Sequence, residues 1–120
     1  MATQLLAQTC QTEDNPSVRH RLAIRYNPGP NTTCALFTCI GKQGLPASIN
    51  DISISGISIS VNLDVAEGSH VVLELRNSER DFCRLLQLKV LRVSYHHDGG
   101  VVASGVFTQQ LSYNELQLLR

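Results

Sequence analysis

Asn50-Asp51-Ile52-Ser53-Ile54-Ser55-Gly56-Ile57-Ser58-Ile59-Ser60-Val61 is the stretch that decides how this chain folds. Apolar and polar residues alternate along it, the period of two that marks a strand with one face in a core. The alternation changes phase once. Ile52 and Ile54 hold even positions, whereas Ile57, Ile59 and Val61 hold odd ones. Neighbouring side chains of a strand point to opposite faces, so one regular strand cannot turn both sets toward a single core. Ser55-Gly56 is therefore predicted to be a turn or bulge between two strands.

Outward from this stretch the same period recurs in short runs of Val, Ile, Thr, Phe and Leu bounded by Gly, Asn and Asp. Strands are predicted near 33–40, 46–52, 57–63, 70–76, 83–96 and 100–108. The fifth run mixes parity, with Leu86, Leu88 and Val90 crossed by Leu91, Val93 and Tyr95, as in a long bent strand. His97-Asp98-Gly99-Gly100 carries the Asp-Gly signal of a hairpin turn. At the end, Ser112-Tyr113-Asn114-Glu115 fits a capping box, with Leu111 and Leu116 at the two staple positions. A short terminal helix is predicted, with Tyr113, Leu116 and Leu119 as one apolar stripe. Six antiparallel strands in so short a chain lose their edges by closing, so the expected fold is all-β, a six-stranded barrel with the helix over one opening.

The 120 residues suit one compact domain, which removes about two thirds of its unfolded surface from water. Lys+Arg and Asp+Glu balance at ten each. That balance argues against a nucleic-acid coat, which needs an excess of cations, and three Tyr, three Phe and no Trp leave little for stacking on RNA bases. Neither DNA nor RNA is an expected partner. No apolar run is long enough to span a bilayer, and the first residues lack a signal peptide's basic start, so a cytoplasmic protein is expected. Cys10, Cys34, Cys39 and Cys83 show no metal-ligand or redox spacing and read as reduced thiols; Cys10 lies in a polar stretch where its reactivity is open. His96-His97-Asp98 offers no third ligand, and neither a metal site nor an enzyme's catalytic constellation is expected.

Residues 1–18 are rich in Gln, Thr, Asn and Ser and read as a flexible arm. Arg19, His20, Arg21 and Arg25 follow without an acid among them, and Asn27-Pro28-Gly29-Pro30-Asn31 excludes helix and central strand there. Two local patterns then pair up: Arg21-x-x-x-Arg25 in the basic loop, and Asp51-x-Ser53-x-x-Gly56 at the phase change. Guanidinium groups fork to phosphate or to guanine O6 and N7, and also lie flat on a purine. Asp51 can accept from guanine N1 and N2, Ser53 can donate or accept, and Gly56 admits close backbone approach. Each pattern also has a plain structural use, the arginines as a solvated flank and Asp51, Ser53 and Gly56 as turn builders.

Taken in this order ahead of a β-rich stretch, the two patterns resemble the PilZ family, bacterial domains that bind cyclic di-GMP. Leu88-Lys89-Val90-Leu91-Arg92-Val93, Val101 to Phe107 and Leu111 to Leu116 resemble that family's closing hairpin and terminal helix. The resemblance covers residues 19–120. It implies a PilZ-like barrel and a non-catalytic cyclic di-GMP receptor or adaptor with no cofactor besides its ligand. Arg21, Arg25, Asp51, Ser53 and Gly56 would form its binding site, with Arg19 and His20 as accessory positions. His20 stands where the family residue bears on whether one dinucleotide or an intercalated pair binds. The implied output is a conformational change, with residues 18–31 ordering on the ligand, passed to a protein effector in motility, biofilm formation or polysaccharide secretion. The alternative is a ligand-free PilZ-like interaction module.

Overall fold

A computed structural model describes residues 24–38 and 43–120. The predicted arm over 1–18 lies outside the described residues, as do Arg19, His20, Arg21, Cys10 and Cys39. The described chain forms β1 (Thr32–Phe37), β2 (Leu45–Ile52), β3 (Gly56–Val61), β4 (His70–Asn77), β5 (Phe82–Tyr95), β6 (Val101–Phe107) and α1 (Tyr113–Leu119). All neighbouring strands are antiparallel, and they close into a barrel in the order β1-β2-β3-β6-β5-β4.

Alternation fills the barrel. Leu36, Ile52, Ile57, Ile59, Leu73, Leu75, Leu88 and Val90 point inward and are almost wholly buried. Two strands end at least two residues sooner than predicted. β1 stops at Phe37 and the chain bends at Thr38, and β3 stops at Val61, after which the loop buries Val65 in the core.

Two bulges shift the pattern. Between β2 and β3, Ile49 faces Ile59 and Asp51 faces Ser58, which leaves Asn50 as the extra residue. Between β5 and β6, Val90 faces Gly105 and Arg92 faces Ser104, which leaves Leu91 extra. Each inserted residue exchanges inward and outward positions beyond it. The second explains the mixed parity of the fifth run.

At one barrel end, α1 closes the opening with Leu116 and Leu119, helped by Leu111. The capping box is complete: the Glu115 N–H donates to Ser112 Oγ (3.1 Å) and the Ser112 N–H to Glu115 Oε1 (2.8 Å). Tyr113 departs from the predicted stripe and is exposed. Leu111, just before the cap, already holds the buried place at that end of the seven-residue helix. Glu115 also pairs with Arg84 of β5. The helix's last carbonyls, which lack intrahelical donors, find them elsewhere. Leu119 O accepts from the Gly29 N–H (2.9 Å) and Thr32 Oγ1 (2.8 Å), and Gln117 O from the Arg80 guanidinium (2.6 Å).

Candidate functional site

The phase change around Ser53 is a tight reversal between β2 and β3. Ser53 is fully buried, and its Oγ serves as the hub of the turn. It accepts from the N–H groups of Ser55 (3.3 Å) and Gly56 (3.1 Å) and donates to Gly56 O (3.3 Å), while the Ser53 N–H donates to the same carbonyl (2.9 Å). Gly56 is buried too, opening β3 opposite Val106. Of the three acid-turn positions, Asp51 is therefore the one whose side chain faces outward, and Ser53 and Gly56 shape the backbone that carries it.

The basic loop reaches this turn. Tyr26 forms a bridge to Ile52 with two backbone hydrogen bonds, Tyr26 N–H to Ile52 O (2.8 Å) and Ile52 N–H to Tyr26 O (2.9 Å). The bridge sets Arg25 beside Asp51, and the two side chains form an ion pair, about a third of each exposed (31% and 35%). Asn27 to Asn31 then leave the β2 edge to reach the helix end through Gly29 before β1 begins. Within the segment 18–31 expected to order on a ligand, Tyr26 is hydrogen-bonded to the barrel and Gly29 to the helix end. Arg120 lies over the Tyr26 ring, 3.8 Å from its centroid, a cation–π contact beside the same bridge.

The sequence set Arg21 and Arg25 near Asp51, Ser53 and Gly56; the structure brings Arg25 beside Asp51, with Ser53 and Gly56 in the adjoining turn, and Arg21 lies outside the described residues. Sequence reasoning missed the Tyr26 bridge, the Arg120 contact and the bulge at Asn50. The bulge had a signal, since Ala47 and Ile49 hold odd positions and Ile52 an even one. An open pocket of about 480 Å³ lies at the other barrel end, lined by Ser48, Ser60, Val61, His96, Asp98 and Val101. Among the described residues no group of His, Cys, Asp and Glu could hold a metal ion, and no helix is long and apolar enough to cross a membrane.

No family model matches the sequence, and no curated protein does. Solved structures share its fold. YcgR of Escherichia coli, in complex with c-di-GMP, matches with a TM-score of 0.60 at 16% identity, over 80% of this chain and 41% of YcgR. The inhibitor of motility MotI/DgrA of Bacillus subtilis matches with a TM-score of 0.56 at 15% identity, over 81% of this chain and 46% of that one. This chain thus spans less than half of either. The closed six-stranded barrel with its terminal helix is a PilZ-like fold, as the paired patterns implied.

Proposed function

We propose that this protein is a receptor for cyclic di-GMP, acting by binding rather than catalysis. The observation that carries the reading is the meeting of Arg25 and Asp51 on the outer surface of a PilZ-like barrel. A cyclic dinucleotide presents two phosphates and two guanines. Arg25 supplies a forked donor for a phosphate or a guanine O6/N7 edge, and Asp51 an acceptor for guanine N1 and N2. Arg21, four residues before Arg25, is the proposed second cation, with Arg19 and His20 as accessory contacts. Ser53 and Gly56 take part through the turn that holds Asp51 in place.

The structural likeness to a protein solved with c-di-GMP and to an inhibitor of motility supports the same reading. On it, binding changes the surface offered to a protein effector, with control of motility, biofilm formation or polysaccharide secretion as the output, in the cytoplasm. Calorimetric titration with cyclic di-GMP beside GTP and cyclic di-AMP tests it. Selective heat with cyclic di-GMP is expected, and none with any of the three would leave the fold an interaction module.

A further inference from the structure

One row of residues runs across four strands in continuous register. Asp51 faces Ser58, Ser58 faces Ser104, and Ser104 faces Arg92. Ser58 and Ser104 share the outward parity, Ser58 almost buried in the floor of the row and Ser104 half-buried, and their hydroxyls are joined by a hydrogen bond of 3.2 Å. The Asn50 amide donates to Ser58 Oγ (3.4 Å), and its oxygen accepts from Ser60 Oγ (3.2 Å), which ties the floor of the row together. The row therefore has an acid at one end, small hydroxyl side chains in the middle and a guanidinium at the other end.

Both ends owe their outward position to a bulge. Without the extra Asn50, Asp51 would fall opposite Ile57 and point into the core. Without the extra Leu91, Arg92 would fall on the inward parity of Val90. Bulges commonly re-aim a side chain beside a binding site, and here two in separate strands bring an acid and a cation onto the same row. Arg92 enters none of the ion pairs among the described residues, which join Arg25 to Asp51, Arg76 to Glu74 and Arg84 to Glu115. Three inter-strand steps separate Asp51 from Arg92, roughly 14 Å between backbones. With the aspartate and arginine side chains standing off the sheet instead of lying along it, that span has room for one purine between them.

We infer that Arg92 is a base-reading residue, and that the row Asp51–Ser58–Ser104–Arg92 is a platform for a single guanine. The base lies flat over Ser58 and Ser104, with its N1 and N2 donors toward Asp51 and its O6 and N7 acceptors toward the Arg92 fork. This rests on the receptor reading above and adds the residue that selects guanine over adenine, which presents an N6 donor where guanine has O6. Ser104 matters for its size, since a bulky side chain there would occupy the base's place.

The test measures cyclic di-GMP and its 7-deaza analogue on the full chain by calorimetry, comparing wild type with Arg92→Ala and Arg92→Lys. Arg92→Ala is expected to bind cyclic di-GMP roughly 10- to 100-fold more weakly. Arg92→Lys should lose nearly as much, because an ammonium keeps the charge without the fork. The 7-deaza analogue should bind less well than cyclic di-GMP to wild type and equally well to Arg92→Ala. Full affinity in Arg92→Ala, or full rescue by lysine, would overturn the inference while leaving the receptor reading intact. Failure of wild type to bind cyclic di-GMP would remove both, and that outcome is visible before any variant is made.

Discussion

Arg25 and Asp51, 26 positions apart in the chain, are paired across the edge of the barrel beside the Tyr26–Ile52 bridge. The pair is too exposed to hold the fold together, since solvent screens such contacts to within about 1 kcal/mol. Arg25→Ala and Asp51→Ala should therefore leave the urea midpoint nearly unchanged. Each removes a charge-assisted ligand contact of about 1.5–3 kcal/mol, so cyclic di-GMP affinity should fall more than tenfold. Unaltered affinity in both variants would move the site elsewhere.

Ser53 is expected to behave in the opposite way. Its buried hydroxyl satisfies the turn's own backbone groups, so Ser53→Ala should lower stability by about 1–3 kcal/mol in denaturant titration. Unchanged stability with lost binding would assign the hydroxyl to the ligand instead.

Gly105 sits in β6 where a Cβ would come within 2.1 Å of Lys89 O, a backbone atom that cannot swing aside. Gly105→Ala should cost about 1–3 kcal/mol by forcing β5 and β6 apart at the Leu91 bulge. A wild-type unfolding midpoint would show that these strands do not approach so closely.

Cys34 faces the core, and burial pushes its thiol up to about 12, with the Glu74 carboxylate adding to the shift. At pH 8 only about one such thiol in ten thousand is ionised. Iodoacetamide on the folded protein should modify exposed Cys83 and spare Cys34 until denaturant is added, as peptide mass spectrometry can follow. Equal modification at both positions would place Cys34 at the surface.

Burial opposes ionisation of Glu115, but the Ser112 N–H and the Arg84 charge outweigh it and hold the carboxyl below its ordinary value of 4.5. A depressed folded-state value stabilises the fold above 4.5, and that contribution is lost as pH falls through the lowered value. The stability difference between wild type and Glu115→Gln should be present near pH 6 and shrink as the pH falls below 4.5. A difference independent of pH would assign the effect to packing.

The barrel was legible because Ile57, Ile59 and Val61, like Leu73 and Leu75, repeat at the strand period and meet Gly or Asp at their turns. The helix start was legible because Ser112 and Glu115 have the spacing that satisfies the first N–H groups. Other features leave no periodic trace. Tyr26 pairs through one residue before a proline-rich excursion, so no run of alternation announces it. Arg120 meets Tyr26 across nearly the whole domain, and no local pattern links them. The outward position of Arg92 depends on Leu91 being the inserted residue, which only the register with Ser104 reveals.

The barrel's closure also fixes the order in which it can be completed during synthesis. β3 pairs with β6, joining Val61 to Val101 and Gly56 to Val106, so its far edge waits 40 to 50 residues for a partner. Until that last strand leaves the ribosome, Ile57 and Ile59 belong to an open sheet with an unsatisfied edge. Closure through such distant pairs places folding among the slower small domains, on a scale of milliseconds to seconds. A nascent chain stalled before Val101 is thus a species with the edge of β3 and its isoleucines uncovered, the point at which a chaperone would find it.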